Sequence, residues 1–184
     1  MALPLLILGI ALWWLGHLFK RLAPARRAAM GDKGRGPVAL VLVASIVLMV
    51  IGFRMADDVP ELWNPPYFLR HINNLLVLIA IYFMSPGPKK GAIFYRMRHP
   101  MLAGFALWAF AHLLVNGDLA SVILFGALLV WSLAEMVVIN RAEPGWTPPA
   151  KGSIAKDAMF LVASVILLGI IGYIHGLLGY PVFG

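Results

Sequence analysis

The chain has 184 residues, of which 61% are hydrophobic and only 12% are charged. A soluble domain of this length needs more polar surface, so the composition predicts an integral membrane protein. Cysteine is absent, which excludes disulfides, cysteine-ligated zinc or iron–sulfur sites, and a thiol nucleophile.

Six apolar segments emerge when the chain is divided at charges, prolines and glycines. They show no apolar–polar alternation, so an all-α bundle of about six transmembrane helices is expected rather than a barrel. No Lys or Arg precedes the first segment, which is therefore expected to be a retained helix and not a signal peptide. A single membrane domain over residues 1–184 is the expected organisation. The segments are approximately Ala2–Phe19, Pro37–Phe53, His71–Met84, Met101–Val115, Leu119–Ile139 and Ala158–Leu178.

The basic residues predict an orientation. Of the 15 Lys and Arg residues, 13 lie in the first, third and fifth connections between segments. The positive-inside rule places these connections in the cytoplasm and both termini on the outer, periplasmic side. The net charge of +7 thus reflects topology, so the lipid bilayer is the expected partner and nucleic acid is excluded.

All five histidines fall within or at the edge of an apolar segment. Imidazole is the usual axial ligand of b-type haem, so histidines on different helices suggest a haem site in the bundle. For the last of them, beside several glycines, contact with headgroups and water is favoured. The histidines are His17, His71, His99, His112 and His175.

The fourth segment carries a stripe with a period of four residues: Gly104, Trp108, His112 and Asn116. The glycine permits close helix contact, the tryptophan offers a flat wall and the histidine offers a nitrogen. The alternative is a packing stripe whose histidine bonds to a neighbouring helix. His99 lies 13 positions before His112 and hence on nearly the opposite face, so the two are not expected to serve one small ligand.

Glu135 is the only acid inside an apolar segment. An ion pair with Arg96 or Arg98 is the favoured role, because an unpaired carboxylate at membrane depth is costly. A catalytic carboxylate is the alternative. At the outer face of the membrane, Asn116-Gly117-Asp118 is expected to form a tight turn in which Asp118 caps the next helix.

Several motifs together resemble the NnrU family of bacterial membrane proteins, over most of the chain. The most specific block runs from Arg98 to Ser121: Arg-His-Pro, then Gly104, Leu107-Trp108, Ala111-His112 and Asn116 to Ser121. The other motifs that carry the resemblance are Gly16-His17, Arg26-Arg27 to Gly31-Asp32, and Leu62 to Pro66 leading to Arg70-His71.

This resemblance implies a multi-pass protein of the bacterial inner membrane that is linked to denitrification through nitrite and nitric-oxide metabolism. The family is similar to the 15-cis-ζ-carotene isomerases, which use haem b. Their axial histidines match His17 and His112, so the resemblance implies haem b on this pair, with Trp108 and Gly104 alongside. A carotenoid-type cis–trans isomerase is an alternative activity.

A second resemblance concerns Arg98-His99-Pro100 followed by Gly104. It is similar to the motif of membrane phospholipid and isoprenylcysteine methyltransferases, in which such residues and a later glutamate hold S-adenosylmethionine. His99, Arg98 and Glu135, together with His71, are therefore the second choice for cofactor binding. A non-catalytic subunit of a membrane complex, or a homo-oligomer, is a third interpretation, compatible with the small residues Gly169, Gly172 and Gly176 of the last segment.

Overall fold

The computed structural model describes residues 1–183, and Gly184, the last residue of the predicted domain, lies outside them. Within that range the chain is helical, and the β pairing is an isolated bridge between Glu61 and Asp118. A 3-10 turn, Gly31–Gly34, leads into the third helix. The helices are α1 Ala2–Leu22, α2 Pro24–Ala29, α3 Arg35–Arg54, α4 Leu69–Met84, α5 Gly87–Lys90, α6 Pro100–Val115, α7 Leu119–Ala142 and α8 Ile154–Leu177.

Four stretches of residues 1–183 are long and apolar enough to cross a bilayer: Ala2–Leu22, Gly31–Arg54, Leu119–Ala142 and Ile154–Leu177. The helical membrane class predicted from composition is therefore confirmed. The helices α4 and α6 are also apolar but have 16 residues each. At 1.5 Å per residue they are about 24 Å long, against a hydrocarbon core of about 30 Å. A crossing by these two helices, and the outer position of the termini, stay predictions.

The chain divides into two compact units. The first unit comprises Met1–Asn64 and Asn116–Trp131; the second comprises Pro65–Val115 and the chain from Ser132 onward. Helix α7 accordingly begins in the first unit and ends in the second.

The first unit is organised around a close hairpin of α1 and α3. A Cβ atom on Gly9 would lie 2.7 Å from the backbone nitrogen of Met49, and one on Gly52 would lie 2.4 Å from that of Leu6. Lipid supplies no hydrophobic drive between helices, so such small residues stabilise the pair by letting the backbones approach.

The turn between α6 and α7 has the predicted cap. Asp118 Oδ1 accepts a hydrogen bond from the backbone nitrogen of Ser121 at 2.8 Å, which confirms its role at the start of α7. The preceding glycine is required by close packing, because a Cβ on Gly117 would lie 1.8 Å from the carbonyl oxygen of Trp63. The Gly117 carbonyl also accepts from the nitrogen of Leu62 at 2.8 Å, which ties the turn to the segment before α4.

In the second unit α4 packs against both α6 and α8. The contacts shared by the three helices form an apolar cluster. Packing around this one core fixes the position of each helix along its axis relative to the other two. The apolar cluster consists of Val77, Ile81 and Ala111, with Leu76, Trp108, Leu168 and Ile171 packed against them.

Near the end of α4, a buried carboxylate joins several segments of the second unit. Asp157, in the first turn of α8, is only 4% exposed. Its Oδ1 accepts from the Tyr82 hydroxyl at 2.5 Å, and its Oδ2 accepts from the backbone nitrogen of Ala92 at 2.6 Å. Asp157 thus links α8 to α4 and to the loop before α6.

The C-terminal segment folds back on the second unit. Asn74 Nδ2 donates to the carbonyl oxygen of Val182 at 2.9 Å. A Cβ on Gly172 would lie 2.1 Å from a ring carbon of Phe183, so this glycine is covered by the chain itself. A Cβ on Gly169 or on Gly176 would have no heavy atom within 4 Å apart from the neighbouring residues of its own helix. Only these two glycines of the predicted packing surface stay open to a membrane partner.

Candidate functional site

The predicted ligand His112 is held by its own helix. Its Nδ1 bonds to the carbonyl oxygen of Trp108 at 2.9 Å, and the two rings are 4.8 Å apart. A carbonyl can only accept, so Nδ1 carries the proton, and in the neutral form of the ring the lone pair lies on Nε2. This arrangement, with the second nitrogen oriented by a backbone carbonyl, is the one that metal-ligating histidines adopt.

His17 shows the same arrangement in the first unit. Its Nδ1 bonds to the carbonyl oxygen of Trp13 at 3.0 Å. The imidazole lies between two indoles, with ring centroids 4.2 Å from Trp13 and 4.6 Å from Trp131. Trp131 is only 3% exposed, so its indole shields this histidine from solvent. In the neutral ring Nε2 then carries the lone pair.

The donor chemistry of both residues fits an axial ligand of haem iron, which takes neutral imidazole nitrogen. His17 belongs to the first unit and His112 to the second. Each is described within its own unit, and their pairing on one haem stays a prediction.

His175 repeats the pattern on α8. Its Nδ1 bonds to the carbonyl oxygen of Ile171 at 2.9 Å. Ile171 and Trp108, which lie one turn before His175 and His112, both pack against the apolar cluster. Headgroup contact was the expectation for His175; the structure places it one turn beyond the same cluster as His112.

Arg98 and His99 lie at the start of α6 and have other partners. His99 Nε2 bonds to the Oδ1 atom of Asn140 at 2.8 Å. Arg98 donates to the carbonyl oxygen of Glu143 and lies over the Trp146 ring, 5.9 Å from its centroid. His99 and His112 thus bond to different atoms, and their assignment to separate sites stays a prediction.

Gly104 is used for helix packing. A Cβ there would lie 2.6 Å from the carbonyl oxygen of Ala80 and 2.9 Å from the side chain of Met84. Close approach of α6 to α4 accounts for this glycine, and a cofactor beside it stays a prediction.

Replacing Gly104 with valine should therefore lower the apparent melting temperature in detergent. Overpacking of this kind costs about 1–3 kcal/mol, and the close partner here is backbone that cannot rotate away. Gly169→Val is the matched control, because Gly169 is also helical and has nothing within 4 Å. Equal melting temperatures for the two variants would contradict the packing role.

The two remaining second-choice residues differ in exposure. Glu135 is 9% exposed, in the part of α7 that belongs to the second unit. Its pairing with an arginine stays a prediction. His71 lies on an exposed face, with its ring 5.8 Å from that of Tyr67. Among residues 1–183, no group of three or more His, Cys, Asp or Glu side chains could hold a metal ion.

Some residues around these sites were not anticipated. Trp13 stands one turn before His17, a spacing that could have indicated contact. The position of Trp131 beside His17, and of His175 beside His112, depends on which helices are neighbours, and no local pattern signals it.

Comparison with known proteins identifies a family. No curated protein and no solved structure matches the chain significantly. A family model described as NnrU protein matches residues 5–182, which is nearly the whole chain. The Arg-His-Pro helix, the histidine motifs and this match lead to one conclusion: the chain belongs to the NnrU family.

Proposed function

We propose that this NnrU family protein binds haem b in the membrane and serves nitrite and nitric-oxide metabolism. His17 and His112 are the axial ligands that the family resemblance implies. The observation that supports them is the shared geometry of the two side chains: each Nδ1 is bonded to the carbonyl four residues earlier, at 3.0 Å and 2.9 Å.

The surroundings of the two histidines suit haem. Both rings contact indoles: His17 contacts Trp13 and Trp131, and His112 contacts Trp108. Aromatic walls exclude water and can lie against a porphyrin, and low polarity around an iron tunes its reduction potential. When bound, haem b would supply one-electron redox chemistry. The protein residues would ligate and orient it and keep water away.

A difference spectrum tests the cofactor directly. We expect the full-length protein, expressed with ample haem and purified in detergent, to show a Soret band and sharp α and β bands in the reduced-minus-oxidised spectrum. Six-coordinate ligation by two imidazoles is the physical reason. Protein without a Soret band under these conditions would contradict the haem proposal.

The proposed role in nitrite and nitric-oxide metabolism has a separate test. A denitrifying host that lacks this protein should consume nitrite more slowly, and the wild-type chain should restore the rate. A chain with His112→Ala should fail to do so at equal membrane abundance. Equal restoration by both chains would show that nitrogen-oxide metabolism does not depend on the proposed ligand.

A further inference from the structure

Three polar side chains of the second unit lie one helical turn beyond the apolar cluster. On α6, His112 follows Trp108 by one turn, and on α8, His175 follows Ile171 by one turn. On α4, Asn73 precedes Val77 by one turn. Trp108, Ile171 and Val77 belong to the apolar cluster, which aligns the three helices.

The direction of α4 brings Asn73 to the same end as the two histidines. Early in α6, Gly104 contacts Ala80 and Met84, near the end of α4. Later in α6, Ala111 packs with Val77. The two helices are therefore antiparallel, and a residue before Val77 lies at the level of residues after Ala111.

The direction of α8 follows from its two ends. Its first turn is bonded to Tyr82, near the end of α4. The segment after it reaches Asn74, near the start of α4. Helix α8 thus runs parallel to α6, and His175 lies at the end that carries Asn73 and His112.

Asn73 has a buried acceptor without a donor. The residue is 8% exposed, and its Oδ1 has no hydrogen-bond partner. The orientation of the amide is set by a chain of bonds: Asn73 Nδ2 donates to Asn74 Oδ1, and Asn74 Nδ2 donates to Val182. A buried acceptor left unpaired costs about 1–3 kcal/mol, which calls for a bound partner.

The three groups have one chemical property in common. Each histidine Nδ1 is bonded to a backbone carbonyl, so in the neutral imidazole the lone pair of His112 and of His175 lies on Nε2. Oδ1 of Asn73 carries lone pairs as well. A set of acceptors fits a positively charged ligand. Two imidazole nitrogens with one amide oxygen suit late first-row divalent ions such as Zn²⁺ and Co²⁺, which favour nitrogen donors.

We propose that Asn73, His112 and His175 form an intramembrane site for a divalent transition-metal ion. The site goes beyond the haem proposal, since it uses two residues that the haem ligation does not need. Both ligands would occupy Nε2 of His112, so haem and the divalent ion exclude each other.

Cobalt titration of the haem-free, full-length protein in detergent tests the site. We expect one Co²⁺ per chain, with a visible absorption band that Zn²⁺ removes. His175→Ala should weaken binding roughly ten-fold or more, as removal of ligand-shell groups does in metal proteins. His71→Ala is the control, because this imidazole is exposed on the same helix as Asn73, and it should bind Co²⁺ like the wild type.

Asn73→Leu separates a ligand from a structural side chain. Leucine has a similar volume and no polar atom. It removes the buried unpaired acceptor, at the cost of the part-buried hydrogen bond from Asn73 Nδ2 to Asn74 Oδ1. We expect weaker Co²⁺ binding together with an unchanged or higher melting temperature. Higher stability with unaltered Co²⁺ binding would overturn the proposal, and so would wild-type protein that binds no Co²⁺.

A haem-loaded sample distinguishes this site from the haem proposal. Occupation of His112 by iron should abolish Co²⁺ binding. Undiminished binding of Co²⁺ by haem-loaded protein would overturn the shared use of His112. A chain that never takes up haem would defeat the haem proposal alone, because the cobalt titration is carried out without haem.

Discussion

Protein with His112→Ala is expected to lose most of its haem, with a Soret band reduced roughly ten-fold or more relative to protein absorbance. Alanine removes the nitrogen that would bind iron and leaves the place of the ring unfilled. His17→Ala should have the same effect. Absorbance spectra of equal amounts of purified protein measure the result.

Two further variants make this expectation specific. His99→Ala should keep its haem, because His99 lies at the start of α6 and its Nε2 is bonded to Asn140 of α7. His112→Met should retain haem with a higher reduction potential, since methionine is a natural axial ligand that raises it. Loss of haem in His99→Ala with retention in His112→Ala would show that the ligands are wrongly assigned.

Asp157→Ala is expected to destabilise the protein by about 3 kcal/mol, because the Tyr82 hydroxyl and the Ala92 amide lose a charged acceptor while buried. In a chain of this size that corresponds to a fall of roughly 6–12 °C in the apparent melting temperature. Thermal unfolding in detergent, followed by circular dichroism, measures it.

Two control variants test whether the loss of stability comes from the buried position of Asp157 and not from the loss of a carboxylate charge as such. Tyr82→Phe removes one donor and leaves the carboxylate bonded to the loop, so a loss of about 1 kcal/mol is expected. Asp58→Ala removes an exposed carboxylate and should change stability by less than about 0.5 kcal/mol. If Asp157→Ala melts like Asp58→Ala, the carboxylate does not hold α8 to α4.

The Asp157 and His112 variants probe opposite ends of the second unit. Asp157 lies in the first turn of α8 and His175 in its last turn. Substitutions at the end that carries Asp157 should therefore change mainly stability. Substitutions at the end that carries His112 and His175 should change mainly ligand binding. A membrane protein gains no hydrophobic drive from helix association, so a few polar bonds such as those of Asp157 contribute much of the specificity of packing.

Sequence alone was sufficient for features that depend on neighbouring residues. The predicted third segment began at His71 and α4 begins at Leu69; the fifth began at Leu119, as α7 does. Asp118 was recognised as a cap because capping involves residues only three apart. The separation of His99 from His112 followed from helical periodicity. Membrane insertion itself depends on the summed hydropathy of a segment, which is a local property.

Tertiary structure decided which polar groups meet. Asp157 and Tyr82 are 75 positions apart, and nothing near either residue indicates the other. His175 stands among glycines in the sequence, yet α8 carries it to the level of His112 on α6. The lone acceptor of Asn73 is recognisable only once Asn74 is seen to bond to Val182. The physical reason is that hydropathy determines that a helix enters the membrane, whereas the choice of its neighbours depends on close packing and polar bonds between distant segments.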